Sequence, residues 1–237
     1  MSLIEYTPSS LRGTSRLDFV QSVICYQTPI DNFLKNQAYL TFEKPKYLEY
    51  ALTSRIKEFW AGRLLAEEIL KKYFDYHLSI THKTSKLPQW PKGTVGCISH
   101  TYDYVIAAVS SESKYLGIDM EYIVDKNVLE ESKNLVLTIS EQSFWELKYN
   151  KTISFCEYFT LVFSLKESLY KAVYPLAKKY IDFLEVTVIE LDFEKKEAFL
   201  KFNRDIEYCY GLLSRYKGFW FFEKGRVITC IEGKTLC

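Results

Sequence analysis

The sequence has almost no net charge, because its 31 lysine and arginine residues are balanced by 30 aspartate and glutamate residues. Proteins that bind nucleic acid through backbone charge usually carry a large basic excess or a local basic block. Neither feature is present in this chain. We therefore expect no nucleic-acid partner.

Long apolar runs are also missing. No stretch of about 18 consecutive apolar residues occurs, and the positive charges near the first residues are not followed by an apolar segment. We therefore expect no transmembrane segment and a soluble, unexported protein of the cytoplasm.

Cysteine pairing motifs are absent as well. The six cysteines are scattered, with no C-x-x-C pair and no histidine at metal-ligand spacing. Neither a zinc site nor a disulfide framework is indicated, and we expect reduced thiols.

The chain is rich in core-forming residues, since 48% are hydrophobic and 16% are aromatic. Helical periodicity runs from Tyr47 to about Tyr73 and from roughly Glu157 to Tyr174, where Pro175 should end the helix. Strand-like runs lie at 94–101, 104–110, 115–123, 186–193, 197–202, 208–215 and 218–231, the last turning at 223–226. Because helices and strands are mixed rather than strictly alternating, the sequence predicts an α+β fold.

The strand predicted at 115–123 carries two acids on one face. Side chains alternate along a strand, so Asp119 and Glu121 point to one side, while Ile118 and Met120 point to the other. At a separation of ~7 Å, two carboxylates repel by roughly 2 kcal/mol at an effective dielectric of ~20. Such a pair suits a divalent ion such as Mg²⁺, and a solvated strand face is the alternative.

The second predicted helix places an acid and a base between aromatic residues. Phe163, Glu167, Lys171 and Tyr174 follow one another at steps of four, four and three, so they share one stripe. Two interpretations are open. The stripe is either an exposed Glu-Lys pair or the wall of a pocket, with Glu167 as a third metal ligand and Lys171 beside a phosphate.

Two further segments carry groups that can bind phosphate. A loop rich in proline and glycine at 88–93 leads into a strand that ends with Ser99, His100 and Thr101, all hydrogen-bond donors. No Gly-x-Ser-x-Gly motif surrounds Ser99, and His100 could equally be structural. Arg55 and Arg63 lie eight residues apart on the first helix. They could grip a phosphate, or they could be two surface arginines on the polar face of that helix.

Glycine 62, beside Arg63, costs a helix interior about 1 kcal/mol relative to alanine. That cost predicts that something packs or binds close to the backbone at Gly62.

Taken together, these segments resemble the Sfp-type phosphopantetheinyl transferases, and more closely the enterobactin-synthetase-like branch that serves siderophore synthesis. The most specific pieces are Gly117-Ile-Asp-Met-Glu121 and, some 45 residues later, Phe163-Ser-Leu-Lys-Glu-Ser-Leu-Tyr-Lys-Ala172. The other matching pieces, in family order, are 54–64, 90–93 and 96–101.

The resemblance implies transfer of the 4′-phosphopantetheine arm of coenzyme A to a serine of an apo carrier protein domain, with release of adenosine 3′,5′-bisphosphate. The carriers would be peptidyl, aryl or acyl carrier domains of nonribosomal peptide (siderophore), polyketide or fatty-acid synthases. The reaction would need Mg²⁺, or Mn²⁺ in its place. We expect a monomer, because an internal pseudo-dimer forms the whole site in this branch.

The resemblance also assigns residues. Asp119, Glu121 and Glu167 would hold the metal, and either Glu167 or a metal-bound water would deprotonate the carrier serine. Lys171 would neutralise charge on the leaving phosphate. The coenzyme A contacts would come from Arg55, Arg63, Ser99, His100, Lys171 and either Lys83 or Lys86. Cys97 stands where relatives usually have serine.

The implied fold is a pseudo-twofold pair of similar α+β subdomains, approximately 1–118 and 119–237, with the active site in the cleft between them. Two other functions are weighed against the transferase. One is an inactive relative that binds coenzyme A or a carrier protein, which the retention of all three acids and Lys171 disfavours. The other is a Mg²⁺-dependent nuclease, whose acid and lysine commonly lie two apart on a strand rather than four apart on a helix.

Overall fold

The computed structural model describes residues 11, 14–34, 43–81 and 85–234. The chain divides into two compact units, Met1–Ser111 and Glu112–Cys237. Each unit combines one antiparallel sheet with helices, so the predicted α+β class is confirmed. The predicted boundary after residue 118 falls inside a strand of the second unit, and the cleft between the halves stays a prediction.

Unit 1 is built on a four-stranded sheet with the strand order β1-β2-β4-β3. Its strands are β1 (Ser15–Leu17), β2 (Ile24–Pro29), β3 (Val95–Thr101) and β4 (Tyr104–Ser110), and its helices are α1 (Ile30–Leu34) and α2 (Thr53–Phe74). Helix α2 packs its apolar face on the sheet. The helix predicted from Tyr47 begins only at Thr53, because Lys46–Leu48 forms a separate 3-10 turn and Leu52 is extended.

Unit 2 is built on a five-stranded sheet with the strand order β5-β9-β8-β7-β6. Its strands are β5 (Tyr115–Tyr122), β6 (Val186–Asp192), β7 (Glu197–Phe202), β8 (Tyr216–Glu223) and β9 (Arg226–Gly233). Its helices are α3 (Lys126–Val136), α4 (Ile139–Phe144), α5 (Phe155–Ala177) and α6 (Arg204–Tyr210), and α5 packs across β5 and β9. The hairpin between β8 and β9 turns at Lys224 and Gly225, which both have positive φ.

Two predictions for unit 2 are wrong. Helix α5 does not end before Pro175 but continues to Ala177, because a proline in the last turn removes only one intrahelical bond. The strand predicted at 208–215 is replaced by α6 and a loop. The Asn203 side chain caps the Ile206 N–H at the start of α6, and Gly211, with a φ of 61°, ends that helix.

No helix within the described ranges is long and apolar enough to cross a membrane. The sequence did not predict strands β1 and β2 or helices α1, α3, α4 and α6.

The contact between α5 and β5 leaves no room for a side chain at Gly117. A Cβ atom there would lie 1.8 Å from the carbonyl oxygen of Ser168 and 2.7 Å from the amide nitrogen of Ala172. Both atoms belong to the helix backbone, which cannot move aside without moving the helix. Glycine at this position therefore sets how closely the helix approaches the strand.

We expect Gly117→Ala to destabilise the protein by at least about 3 kcal/mol, because the added methyl group must push α5 away from β5. The matched control is Gly225→Ala, where a Cβ would meet nothing within 4 Å but φ is 74°. That control should cost only about 1–2 kcal/mol. Urea unfolding of both variants measures the difference, and equal losses would show that the close approach is not the constraint.

Candidate functional site

The acid pair of β5 lies beneath α5 rather than on a solvated face. The Asp119 side chain is only 1% exposed, and the Lys171 Nζ on α5 donates a hydrogen bond to Asp119 Oδ1 at 2.6 Å. The alternative of two solvated acids therefore fails for Asp119. Strand and helix together bring a carboxylate and an ammonium group into direct contact.

Two other carboxylates of this cluster are destabilised in their ionised form. Burial, with additional contributions from the nearby Asp119 and Glu167, raises the pKa of Glu121 to about 8, whereas Lys171 opposes the shift. Burial also raises the pKa of Glu167, against the opposing effect of Lys171. Lys171 is the positive charge that favours the ionised form of both glutamates. A further positive charge in the cluster would favour the ionised carboxylates in the same way.

The donor set fits a hard divalent cation in its chemistry. Asp119, Glu121 and Glu167 offer carboxylate oxygens, the ligands that Mg²⁺ prefers, and their mutual repulsion would be relieved by a cation. Within the described ranges, however, no three His, Cys, Asp or Glu side chains are arranged to hold a metal ion. The three carboxylates would therefore have to move in order to share one ion.

A cavity of about 60 Å³ opens beside Glu167 in unit 2. Its lining is mainly apolar and aromatic and includes Tyr170, Ile181 and Phe183. The predicted stripe thus divides: Glu167 lies on a pocket wall, whereas Lys171 contacts Asp119. The sequence analysis did not single out Tyr170, although its position three residues after Glu167 on the same helix places the two side chains on one face.

In unit 1, α2 and β3 bring Arg55 and His100 together. The Arg55 Nη1 lies 2.5 Å from His100 Nε2 and 3.2 Å from Glu58 Oε2. Because arginine only donates, His100 Nε2 accepts and its proton belongs on Nδ1, which faces Glu58 Oε2 at 3.5 Å. Glu58 was missed from the sequence, although it stands three residues after Arg55.

Arg63 has different surroundings from Arg55. It is 6% exposed, and its guanidinium carbon lies 3.6 Å from the centre of the Phe59 ring. Its Nη2 donates to the carbonyl oxygen of Lys86 at 2.8 Å. Burial lowers the pKa of Arg63 to about 10, so the group keeps its charge at neutral pH.

The remaining predicted nucleotide contacts are spread over unit 1. Ser99 is buried on one face of β3, and His100 lies on the opposite face, so the strand does not turn both side chains the same way. The Lys86 side chain is exposed, and Lys83 lies outside the described residues. At Gly62, the close neighbour is Ile98, whose Cγ2 would lie 2.6 Å from an added Cβ, so packing explains this glycine.

Comparison with known proteins gives this arrangement a family. Residues 43–110 match the 4′-phosphopantetheinyl transferase N-terminal domain, and residues 115–230 match the 4′-phosphopantetheinyl transferase superfamily. The chain belongs to the 4′-phosphopantetheinyl transferase superfamily, as the sequence resemblance predicted.

Curated relatives agree with this assignment. Enterobactin synthase component D of Escherichia coli K12 is 32% identical over 125 residues, which cover 53% of this chain and 58% of that protein. The 4′-phosphopantetheinyl transferase Svp of Streptomyces mobaraensis is 27% identical over 157 residues, covering 65% and 58%. The chain thus spans somewhat over half the length of these relatives.

One solved structure that resembles the chain is the holo-[acyl-carrier-protein] synthase of Helicobacter pylori in complex with coenzyme A. The TM-score is 0.37 at 19% identity, over 49% of this chain and 96% of that one. A similarity this distant carries no information about the site.

We expect Glu121→Gln to stabilise the metal-free protein at pH 8 much more than at pH 5. A raised pKa means that folding favours the protonated form of Glu121. The free energy of unfolding is therefore undiminished below the ordinary glutamate pKa of 4.5, and it falls as the pH rises through about 8. Each 1 kcal/mol regained should raise Tm by about 2–4 °C. Thermal unfolding in EDTA measures the gain, with the exposed Glu194→Gln as control. An equal gain at both pH values would contradict the assignment.

Proposed function

We propose that this protein transfers the 4′-phosphopantetheine arm of coenzyme A to the serine of an apo carrier protein domain. The observation that supports this most is the partly buried cluster of Asp119, Glu121, Glu167 and Lys171 in a chain of the phosphopantetheinyl transferase superfamily. Relatives named as phosphopantetheinyl transferases and enterobactin synthase components support the same reaction.

In this reaction the carrier serine Oγ forms a bond to the phosphorus that bears the pantetheine arm. The bond from that phosphorus to the bridging oxygen breaks, and adenosine 3′,5′-bisphosphate leaves with the electron pair. The serine proton passes to a base. Such a displacement depends on positioning and on stabilisation of negative charge more than on covalent help from the protein.

Asp119, Glu121 and Glu167 would hold a Mg²⁺ or Mn²⁺ ion, which supplies positive charge at the pyrophosphate when bound. Glu167 is also a candidate base, because burial moves its pKa above the ordinary value and toward the working pH. Lys171 supplies a cation in the same cluster, suited to the charge that develops on the leaving phosphate.

The nucleotide contacts are assigned to unit 1. Arg55 is about half exposed and remains available to an anion while it contacts His100. Arg63 is the better-buried cation and holds the Lys86 carbonyl. Ser99 and either Lys83 or Lys86 complete the proposed set.

The carrier partner is proposed by class: peptidyl, aryl or acyl carrier domains, with siderophore or other nonribosomal peptide synthesis as the first expectation. We propose that the enzyme acts as a monomer.

The reaction is tested by intact-protein mass spectrometry. A purified apo peptidyl carrier and an apo acyl carrier are each incubated with the protein, coenzyme A and Mg²⁺. We expect the gain of one phosphopantetheine on at least one carrier, abolished by EDTA and reduced at least about 100-fold by Asp119→Ala. No gain on either carrier, with coenzyme A still bound, would favour the inactive relative.

We expect Arg55→Ala to raise the KM for coenzyme A about tenfold and to leave kcat nearly unchanged, because its charge is assigned to ground-state binding of a phosphate. The variant should fold normally, since the Arg55 side chain is 53% exposed. The comparison substrate is 3′-dephospho-coenzyme A, which separates the phosphates. If Arg55 contacts the 3′-phosphate, wild type and variant will have similar KM values for this substrate. An unchanged KM for coenzyme A removes Arg55 from the site.

A further inference from the structure

Three buried hydroxyl groups form a cluster between α5 and β9. Ser164, Ser168 and Thr229 are each fully buried. Thr229 Oγ1 lies 2.9 Å from Ser164 Oγ and 2.7 Å from Ser168 Oγ, and it donates to the Ser164 carbonyl oxygen at 2.9 Å. With that bond made, the threonine oxygen can accept from both serines, and Ser168 Oγ also lies 3.2 Å from the Thr229 carbonyl oxygen, a second acceptor for its one proton.

The cluster lies beside the acid of the candidate site. Thr229 is directly opposite Asp119 in the antiparallel ladder of β5 and β9. On the helix, Ser168 follows Glu167 by one residue and precedes Lys171 by three. The hydroxyl bonds therefore join the strand that neighbours Asp119 to the helical turn that carries Glu167 and Lys171.

The position of α5 along the strands is what this cluster can fix. Ser164, Ser168 and Ala172 recur every four residues and form the small face that meets the sheet, with Gly117 against Ser168 and Ala172. A helix face made of small side chains packs closely on a sheet, but it offers little steric resistance to sliding of the helix along the strands. One residue of helix is 1.5 Å of rise, so a slide of this size would break the 2.6 Å contact between Lys171 and Asp119.

Apolar residues could fill the same space. Replacement of both partners of a buried hydrogen bond by apolar groups of similar shape is often nearly neutral for stability. Satisfied polar networks instead specify one arrangement of a core. No step of the proposed reaction uses these hydroxyls.

We propose that Ser164, Ser168 and Thr229 are positioning residues that hold Glu167 and Lys171 in register with Asp119. The inference rests on the proposed transferase function for its kinetic consequence, while the register itself can be measured without turnover.

The test compares Thr229→Val, which keeps the side-chain shape, with the triple variant Ser164→Ala/Ser168→Ala/Thr229→Val. Thr229→Ser restores the hydroxyl. The matched control is Thr160→Val, on the same helix one turn earlier. Thr160 is also fully buried, and its hydroxyl bonds the Cys156 carbonyl and the Val124 N–H.

We expect kcat to fall at least tenfold in both register variants, with the KM for coenzyme A within twofold of wild type. A displacement of ~1 Å in a catalytic group can cost ~100-fold in rate. Thr229→Ser should recover most of the rate. Thr160→Val should lower Tm by about as much as Thr229→Val does, but it should keep the kcat of the wild type.

The second readout is the rate at which acetic anhydride labels Lys171 in the full chain, followed by peptide mass spectrometry. Loss of the Asp119 contact should speed this labelling at least threefold in the register variants but not in Thr160→Val. Unchanged labelling and kcat within twofold in the register variants would overturn the inference, as would an equal kcat loss in Thr160→Val. If wild type transfers nothing, the proposed function fails, and the labelling rates still decide the register.

Discussion

The close approach of α5 to β5 is the constraint on which the arrangement of unit 2 depends. Only a residue without a side chain fits at Gly117, where the helix backbone would lie 1.8 Å from a Cβ atom. This approach covers the face of β5 that carries Asp119 and brings Lys171 within 2.6 Å of it. Burial of the carboxylates follows from the packing, and the raised pKa of Glu121 follows from the burial.

Two ion pairs on the same helix show how packing separates structural charge from chemical charge. Lys166 is 1% exposed and donates to Glu141, to the Val136 carbonyl and to the Phe183 carbonyl. Glu141 in turn accepts from the Val188 N–H, so both charges are fully hydrogen-bonded. Such a pair costs about 3–5 kcal/mol to break from one side and offers nothing to a ligand.

The cluster around Lys171 has the opposite balance. One lysine faces Asp119 while Glu121 and Glu167 remain within reach of its charge, and burial raises the pKa of both glutamates. Several carboxylates crowded in one partly buried cluster destabilise the folded protein. Such clusters usually occur where a bound cation or a reacting group compensates their charge. This contrast distinguishes Glu167 from its neighbour Lys166 in the same sequence motif.

The sequence alone predicted the parts of this arrangement that depend on local periodicity. Strand alternation put Asp119 and Glu121 on one face, and four-residue helical steps put Glu167 and Lys171 on one stripe. Burial of the acid face could not be predicted, because it depends on helix residues some 50 positions further along the chain. Likewise, α6 was mistaken for a strand, since its short aromatic run fits both periods and its Asn203 cap was overlooked.

Arg55 and Arg63 show the same limit in unit 1. Their eight-residue spacing does not distinguish the two arginines. In the structure, however, the Arg55 side chain is 53% exposed beside His100, whereas Arg63 is buried against the Phe59 ring. Arg63 also holds the carbonyl of Lys86, which fixes the loop that enters β3. Loss of Arg63 would therefore disturb the loop as well as remove a charge, whereas loss of Arg55 removes little but the charge. The exposed arginine is thus the cleaner probe of anion binding, although the buried one is held more rigidly.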